Sequence, residues 1–479
     1  MPPLARLLLV VAAGGSLAGC SDPSPALAQD AGVVDAGADA LTPPDLPRTR
    51  GEDELAPMRA ACAFGAGAWP AETLGKELPI GADIPIDHVI VIMQENRSFD
   101  NYLGRLVADG YYQEGEVDVP PAGWSNLDAS GATVVPHKDD AFCYGVNHSW
   151  ADMHDQWNEG RNDRFVLNNE PDGQRAFYYE DDTIIPFYYA LADTFAIGDR
   201  YFASVLTSTW PNRYFVMGAT SYGIGDNSFN PLDTRAHPVL HIFSELDAGR
   251  HTWKDYADGP HMLSFYPFFG FQNATQLREG DVRCDLMNDI ANDQLPDVAF
   301  VMGGEVGGVT SDEGPSALPG IGGAMVEQII RALWASPAWP RTAVFITYDE
   351  NGGMADHALP VAACEPDALA PHDGDGHPLP GKFDITGQRV PFIVVSPYAR
   401  PHFVSHQVYD HTSITRFIEA CFGLPAMTAR DANAAVPLEM FDFAHPAFMT
   451  PPTIAAHTTV DPAVLTRCGQ EVVTFGCPP

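Results

Sequence analysis

Between about residues 84 and 425, short apolar runs alternate with segments of helical pattern. Four of the runs are rich in β-branched and aromatic residues and stay apolar at consecutive positions. This pattern is typical of strands that are buried on both faces of a parallel sheet. We therefore predict strands at residues 86–93, 297–302, 342–348 and 390–396.

Two segments between these runs have the spacing of helices with one apolar face. Residues 321–335 place Ile321, Met325, Ile329 and Leu333 four apart, and residues 413–421 have a similar spacing. The alternation of strands and helices favours an α/β fold. We predict a doubly wound, mostly parallel sheet sandwiched by helices, with ligands bound at the carboxyl ends of the strands.

The first nineteen residues have the pattern of an export signal. Arg6 precedes an apolar stretch, and the box Leu17-Ala18-Gly19-Cys20 follows it. We predict that residues 1–19 are removed and that Cys20 carries lipid; an ordinary secretory signal with a chance cysteine is the alternative. The protein would then be an exported bacterial lipoprotein, and Ser21 favours the outer membrane or cell surface.

The segment after Cys20 is rich in Ala, Pro, Gly and Asp and has few aromatic residues. Such a composition buries too little surface to offset the entropy of ordering, so a tether is expected from residue 21 to about residue 60. We assign residues 20–84 to this tether and an N-terminal extension, residues 85–425 to the main folded domain, and residues 426–479 to a Pro-rich tail.

Eight cysteines are present, and seven remain if Cys20 is lipidated. Export favours disulfides, and an odd number leaves one thiol single. No paired CxxC spacing indicates a metal site, so we interpret these cysteines as structural. Cys468 and Cys477 are a candidate pair in the tail.

The chain has 63 acidic and 26 basic residues and a formal charge of −37. A non-specific nucleic-acid binder needs clustered Lys and Arg to neutralise phosphates, so this class is excluded. No apolar run beyond the N-terminus approaches the roughly 18 residues of a spanning helix. Contact with a membrane is expected through the lipid anchor only.

Polar residues directly follow two of the predicted strands. Glu95 and Asn96 come after the first, and Asp349 and Glu350 come after the third. Carboxylate and amide oxygens that converge from two strand ends suit a hard cation. The alternative is that these acids cap helices or lie in solvated turns.

A third polar segment, Thr-Ser-Thr-Trp-Pro-Asn-Arg at 207–213, leads into a predicted helix with Thr209 as its N-cap and Pro211 in its first turn. A hydroxyl at a helix start faces unpaired backbone N–H groups, which favour anions. Beside a cation, such a hydroxyl is a candidate nucleophile for phosphorus. The alternative is an ordinary helix cap, and Ser208 is a second candidate.

Several ordered blocks resemble one family over most of residues 86–425. These blocks are HVIVIMQENRSFDNYLG from His88, NHSWADMHDQWNEGRNDRF from Asn147, IPFYYALADTFAIGDRYFASVLTSTWPNRYF from Ile185, TYDENGG from Thr347, RVPFIVVSPYAR from Arg389 and DHTSITRFIEACFGLP from Asp410. The family is that of the bacterial phosphoesterases, which includes non-haemolytic phospholipase C and an acid phosphatase. The resemblance implies an alkaline-phosphatase-like fold.

The resemblance also implies a set of site residues and one divalent metal ion. The implied metal ligands are Glu95, Asn96, Thr209, Asp349 and Glu350. The implied catalytic residues are the nucleophile Thr209 and the phosphate-side His148, with His261 and His357 as weaker candidates for the remaining histidines.

Two positions depart from the family pattern. Asn351 stands where many relatives have His, and Gly314 stands in place of the His of a Glu-His-Pro segment. The expected function is phospholipase C-like hydrolysis of a phosphodiester through a phosphothreonine intermediate, and the expected partner is a phosphate-ester substrate, with a phospholipid as one form. The alternatives are an acid phosphatase and a non-catalytic surface lipoprotein that binds a phosphorylated ligand.

Overall fold

The computed structural model describes residues 41–138, 145–227, 240–258, 279–306, 309–314 and 317–468. A central sheet of eight strands runs through these residues. In chain order its strands are β1 (His88–Gln94), β2 (Ala196–Gly198), β3 (Trp253–Ala257), β4 (Glu279–Asp281), β5 (Val298–Met302), β6 (Thr342–Tyr348), β7 (Phe392–Val395) and β8 (Phe403–Ser405).

The strands lie in the spatial order β8-β2-β7-β6-β1-β5-β3-β4. β1 pairs in parallel with β6 on one side and with β5 on the other. β7 is antiparallel to both of its neighbours, β6 and β2. The predicted mostly parallel sheet is therefore confirmed, and the carboxyl ends of β1, β5 and β6 lie along one edge.

The expectation of a parallel strand at residues 390–396 is wrong in direction. The strand exists, but it runs opposite to β6, with Val344 beside Val395. An apolar run shows that a strand is buried without encoding which way it points. The reversal brings Arg389, just before β7, to the edge where β1 and β6 end.

Helices flank the sheet. Those of seven or more residues are α1 (Glu52–Ala60), α2 (Trp150–Trp157), α3 (Pro186–Thr194), α4 (Thr209–Gly218), α5 (Ile242–Ala248), α6 (Pro319–Trp334), α7 (His411–Phe422) and α8 (Pro462–Cys468). The shorter α-helices are Pro70–Thr73, Phe99–Tyr102, Phe165–Asn168, Met287–Ala291 and Ala429–Ala432. The predicted helices at 321–335 and 413–421 are confirmed as α6 and α7.

Smaller elements complete the described chain. Two-stranded pairings join Asn126–Leu127 to Thr133–Val134, His137–Lys138 to Tyr178–Tyr179 and Glu305–Val306 to Val309–Thr310. Short 3-10 turns occur at Gly81–Asp83, Gly173–Phe177, Trp339–Arg341 and Pro437–Met440, and a π-helical turn at Val282–Leu286 precedes Met287.

The main core contains the central strands and the helices packed on them. Val89, Ile90 and Val91 of β1 are fully buried. Phe345 of β6 meets Phe417 of α7 edge to face, with ring centroids 4.9 Å apart. These strands are buried on both faces, as their continuous apolar sequence predicts.

The N-terminal segment is more ordered than its composition predicts. Helix α1 lies within the stretch expected to be a tether, and its Leu55 and Arg59 are buried. Cys62, just after this helix, forms a disulfide with Cys364. These tertiary contacts supply the stabilisation that the local sequence lacks, so the tether prediction is wrong for residues 52–60.

The other ends of the chain are described only in part. The proposed signal, Cys20 and Cys477 lie outside the described residues, and the side chain of Cys468 is not described. Cys421 is a buried free thiol, the state expected for one of the cysteines. After Pro425 the chain still packs on the domain, since buried Arg430 donates to Asp410 at 2.8 Å. No helix in the described part of the chain is long and apolar enough to cross a membrane.

Candidate active site

The acids that follow β1 and β6 lie together, as predicted from the strand ends. Gln94 is in register with Tyr348, so the next residues of both strands start from the same level. The backbone N–H of Asn96 donates to Asp349 Oδ1 at 3.0 Å, and that of Glu350 donates to the same oxygen at 2.7 Å. Asp349 thus holds the two strand ends to each other.

Arg213 of α4 reaches both strand ends. Its Nε donates to Asp349 Oδ2 at 2.9 Å, and its Nη2 donates to Glu95 Oε1 at 3.2 Å. The Arg213 side chain is only 2% exposed, and charge-assisted bonds of this kind are strong when desolvated. The helix that begins at Thr209 is therefore tied to the carboxylates expected to bind metal.

Among the described residues, several buried oxygens at this place have no hydrogen-bond partner, and two of them are Asn96 Oδ1 and Glu350 Oε1. A buried acceptor without a donor costs free energy, so such atoms need an explanation. Amide and carboxylate oxygens are the donors that a hard divalent cation prefers, and the residues present therefore fit the expected metal ion.

Electrostatics at the strand ends favours an added positive charge. Burial and the nearby Asp312 raise the pKa of Glu95 well above its usual value, although Arg213 acts in the opposite direction. Burial and Asp349 likewise raise the pKa of Glu350. A cation beside these carboxylates would stabilise their charged forms.

A tight backbone contact brings the two loops together. Asn96 has a φ of 62° and Gly352 a φ of 61°. A Cβ atom at Gly352 would lie 2.6 Å from both the Cβ and the backbone oxygen of Asn96. Glycine is therefore required at position 352 for both conformation and space.

Helix α4 begins one residue earlier than predicted. Ser208 is the N-cap and Thr209 the first helical residue, so the assignment of Thr209 as N-cap is wrong. The side-chain amide of Asn212 donates to the backbone oxygens of Val205 and Thr207, at 3.1 and 2.9 Å, and so folds the preceding loop back onto the helix start.

Thr209 is buried at 7% exposure. It precedes Arg213 by four residues, so the two side chains project from the same face of α4. That face is the one that Arg213 turns toward Glu95 and Asp349. This placement agrees with the predicted role of Thr209, which stays a prediction.

His148 lies beside one of the predicted metal ligands. Its Nδ1 bonds the backbone oxygen of Val146 at 2.6 Å, an arrangement in which Nδ1 carries the proton. Its Nε2 lies 3.9 Å from Glu350 Oε1, the oxygen that has no hydrogen-bond partner. The structure thus brings His148 to the strand ends.

His357 lies in a different cluster. Its Nδ1 is 2.8 Å from Asp100 Oδ2 and its Nε2 is 3.0 Å from Asp118 Oδ1. Burial alone would lower the pKa of this imidazole, but the bonds to Asp100 and Asp118 outweigh burial and raise the pKa to about 10. His357 is therefore a cation held between two carboxylates, and His261 lies outside the described residues.

The same cluster contains a possible metal-binding group. Asp100, Asp356 and His357 offer ligand atoms that lie within 4.8 Å of one another. Within the described residues, Glu95, Asp349 and Glu350 do not bring three ligand atoms this close. However, Arg389 donates to Asp100 and Asp356 at 2.8 Å each, so those two carboxylates already have a cationic partner.

Sequence reasoning missed two residues that support Asp349. Arg213 lies in the segment at 207–213, but no role was predicted for its side chain. His411 belongs to the block that starts at Asp410. Its Nε2 lies 2.6 Å from the backbone oxygen of Asp349. Burial lowers the pKa of His411, so the ring is neutral and donates from Nε2 while Nδ1 accepts from Tyr201. A histidine or arginine inside a matching block was the available signal.

The two departures from the family pattern have local explanations. Asn351 is buried, and its amide donates to the backbone oxygen of Met354 at 2.7 Å. At Gly314, a Cβ atom would lie 2.7 Å from Glu95 Oε2. A larger residue at position 314 would therefore displace Glu95.

A model of the phosphoesterase family matches residues 86–425, which include every described residue of the candidate site. The chain belongs to the phosphoesterase family.

This phosphoesterase is 31% identical over 398 residues to non-hemolytic phospholipase C of Burkholderia pseudomallei, and the aligned region covers 70% of this chain and 55% of that protein. It is also 31% identical over 445 residues to phospholipase C B of Mycobacterium tuberculosis, and the aligned region covers 80% of this chain and 81% of that protein. This chain thus spans only about half the length of the Burkholderia relative. Family and relatives together support phosphate-ester hydrolysis.

Solved structures give a weaker likeness. The lipoteichoic acid synthase LtaP of Listeria monocytogenes is 12% identical to this phosphoesterase, covers 65% of this chain and 76% of its own, and has a TM-score of 0.33. An alkaline phosphatase superfamily protein of Vibrio parahaemolyticus is 11% identical, covers 68% and 72%, and has a TM-score of 0.32. Scores this low support no inference about site or substrate.

Proposed function

We propose that this phosphoesterase hydrolyses a phosphodiester in the manner of a phospholipase C, through a covalent intermediate on Thr209. The observation that carries the proposal is the family match over residues 86–425 together with relatives named phospholipase C. Within that range, the acids at the ends of β1 and β6 and the threonine at the start of α4 supply the groups that the reaction needs.

The proposed metal ligands are Glu95, Asn96, Thr209, Asp349 and Glu350. The unpartnered oxygens of Asn96 and Glu350 and the raised pKa values of Glu95 and Glu350 support this assignment. A bound divalent cation supplies Lewis-acid chemistry, which lowers the pKa of a bound hydroxyl and attracts a phosphate oxygen. Arg213 fixes the orientation of Asp349 and Glu95 for this task.

The proposed reaction has two steps. Thr209 Oγ attacks phosphorus and passes its proton to Nε2 of His148, while the bond from phosphorus to the leaving alkoxide breaks. His148, whose Nε2 faces Glu350, then gives this proton to the leaving alkoxide. Water then attacks phosphorus, which releases the phosphorylated product and returns the proton to Thr209.

Hydrolysis of two chromogenic substrates tests the proposal. Purified protein that has been treated with EDTA is assayed with p-nitrophenylphosphorylcholine and p-nitrophenyl phosphate, with and without added Mn²⁺. We expect turnover of the diester to depend on the cation. Full activity in excess EDTA contradicts the proposed metal dependence. If neither substrate is turned over under any condition, the result supports the alternative of a non-catalytic ligand-binding protein.

The ratio of the two rates separates the two enzymatic alternatives. A phospholipase C-like enzyme prefers the diester, whereas an acid phosphatase prefers the monoester. The names of the relatives support the first outcome. Preference for p-nitrophenyl phosphate would replace the proposed substrate class and leave the site intact.

We also propose that the protein is exported and acylated at Cys20, on the basis of the box at residues 17–20. The lipid would hold an acidic, otherwise water-soluble domain at the membrane. Detergent-phase partitioning of the wild type and of Cys20→Ala measures this directly. A Cys20→Ala protein that still partitions with detergent contradicts the anchor.

A further inference from the structure

Glu313 is a fully buried carboxylate beside the candidate site that the proposed reaction does not use. Its Oε2 accepts hydrogen bonds from the hydroxyls of Tyr348 at 2.6 Å and Tyr102 at 2.8 Å. Its Oε1 accepts from Tyr188 at 2.7 Å and lies 3.4 Å from Nε2 of Gln94. One carboxylate therefore collects donors from four separate segments of the chain.

Two of these donors come directly before the proposed metal ligands. Tyr348 is the last residue of β6 and precedes Asp349, and Gln94 is the last residue of β1 and precedes Glu95. Glu313 therefore connects the side chains of the last residues of two adjacent strands, and each of these residues directly precedes a proposed metal ligand.

The backbone of Glu313 makes a further connection to the same loop. Arg97, which follows Asn96, donates from Nη2 to the backbone oxygen of Glu313 at 2.6 Å. Glu313 has a φ of 70°, a conformation that non-glycine residues rarely adopt. Such a conformation persists where the surrounding contacts determine it fully, which is a feature of functional sites.

Helix α6 packs directly against the side chain of Glu313 at Gly322. A Cβ atom at Gly322 would clash with the side chain of Glu313. The carboxylate therefore cannot shift toward α6, and its tyrosine partners fix it in the remaining directions. Rigid support of this kind is what a metal site needs, because residues that orient the ligands set the affinity for the ion.

We propose that Glu313 is a positioning residue that sets the spacing between the ends of β1 and β6, so that Glu95 and Asn96 share one cation with Asp349 and Glu350. This inference rests on the proposed cation of the phosphoesterase reaction. Glu313 itself contacts neither substrate nor cation. It acts through Gln94 and Tyr348.

The alternative is a polar cluster that contributes only to stability, and the tyrosines distinguish the two. Tyr348 adjoins a proposed ligand, whereas Tyr188 lies on α3, which carries none. Both hydroxyls donate to Glu313 and both residues are buried. Loss of either hydroxyl should lower the melting temperature by a similar amount, but only loss of the Tyr348 hydroxyl should disturb the cation.

The test measures Mn²⁺ binding to the full-length protein after treatment with EDTA, using the electron paramagnetic resonance signal of free Mn²⁺. Glu350→Gln identifies binding at the strand ends by abolishing it. We expect Glu313→Gln to weaken binding by about tenfold or more, the range seen when residues that orient metal ligands are changed. Tyr348→Phe should weaken binding by about fivefold, and Tyr188→Phe by less than about twofold.

Glu245→Gln is the matched control. Glu245 of α5 is also a buried glutamate, and burial raises its pKa to about 7, as burial does for Glu313. Within the described part of the chain, the close charge that acts on Glu245 is Asp431, which is not a proposed ligand. Its substitution should change the melting temperature and leave the affinity for Mn²⁺ unchanged.

The outcomes separate this inference from the proposed function. Wild-type binding with unchanged affinity in Glu313→Gln and Tyr348→Phe overturns the positioning role and leaves the cation in place. Equal weakening by Tyr348→Phe and Tyr188→Phe shows a purely structural cluster and also overturns it. Absence of Mn²⁺ binding in the wild type overturns the proposed cation and this inference with it.

Discussion

At His357, burial and hydrogen bonding act in opposite directions on one imidazole. Burial lowers its pKa, but Asp100 and Asp118 raise it from the ordinary value of 6.5 to about 10. The folded state therefore binds a proton that the unfolded chain releases near neutral pH. This contribution to stability is fully present below about pH 6.5 and is lost as the pH rises through about 10.

We expect His357→Gln to lower the free energy of unfolding by about 2 to 3 kcal/mol at pH 6, because Asp100 and Asp118 lose a buried cationic partner. The difference from the wild type should shrink between pH 6 and pH 10. Urea unfolding at both pH values measures this. His377→Gln is the control, since His377 pairs with Asp373 on the surface, where ion pairs contribute little.

A difference between His357→Gln and the wild type that stays constant from pH 6 to pH 10 contradicts the protonated state. The same experiment bears on catalysis. An imidazole that stays charged and has carboxylates on both nitrogens has no free position for proton transfer, so His357 is better suited to stabilising the fold than to the chemistry.

Thr209 and Ser208 offer a direct comparison of neighbouring hydroxyls. Replacing Thr209 with Ala should lower kcat by at least about 10³-fold, because the proposed nucleophile is removed. Ser208→Ala is the matched variant: its hydroxyl makes no capping hydrogen bond, so the change should cost little stability and keep most activity. Mapping the phosphopeptide after quenching turnover assigns the intermediate. Phosphate on Ser208, or turnover by Thr209→Ala close to the wild-type rate, contradicts the mechanism.

At the scale of elements, the site depends on how two strand ends and one helix meet. β1 and β6 deliver their acids at the same level because they are parallel and in register. Helix α4 joins them through Arg213, which contacts both Glu95 and Asp349. The loops after the two strands approach each other closely at Gly352 and Asn96.

We expect Gly352→Ala to lower the free energy of unfolding by about 2 to 4 kcal/mol and to reduce metal-dependent activity. The new Cβ adds the cost of a left-handed conformation, about 1 to 2 kcal/mol, to a clash with Asn96. Gly376→Ala is the control, because Gly376 has a φ of 83° and, beyond its chain neighbours, no heavy atom of the described residues lies within 4 Å of the new Cβ. Thermal unfolding and the diester assay measure both effects.

Equal losses of stability and of activity in the two alanine variants would contradict a specific role of the contact between Gly352 and Asn96. In that event backbone conformation alone would explain the cost. A larger loss of activity in Gly352→Ala is the expected sign that the position of Asn96 matters to the chemistry.

At the scale of the whole molecule, the Cys62–Cys364 disulfide joins the N-terminal segment to the catalytic domain across a sequence separation of 302 residues. Cross-linking such a long loop restricts the unfolded chain strongly. The segment that it holds includes α1, a helix of 9 residues, which is too short to be stable alone in water. The proposed site residues lie elsewhere.

We expect Cys62→Ser/Cys364→Ser to lower the free energy of unfolding by about 2 to 5 kcal/mol and to keep the activity of the folded enzyme. Each single variant should lose about as much as the double variant, because either change removes the same bond. Urea unfolding of all three variants checks this. Costs of the two single variants that add up in the double variant would contradict a stabilising role of the bond.

Elements with strong local signals could be predicted from the amino-acid sequence alone. The apolar runs of β1, β5 and β6, the spacing of α6 and α7, and the polar pairs after β1 and β6 all follow from neighbouring residues. Because parallel strands end at one edge, the meeting of Glu95 and Asn96 with Asp349 and Glu350 was also predictable.

Features that depend on residues far apart in the chain become visible only in the folded protein. The direction of β7, the enclosure of His357 by Asp100 and Asp118, and the convergence of donors on Glu313 are not written in any local pattern. Composition likewise predicted a tether where α1 is held by packing and by a disulfide. The physical reason is that apolar periodicity reports burial, whereas strand direction and the partners of a buried charge are fixed by contacts that form only when the chain folds.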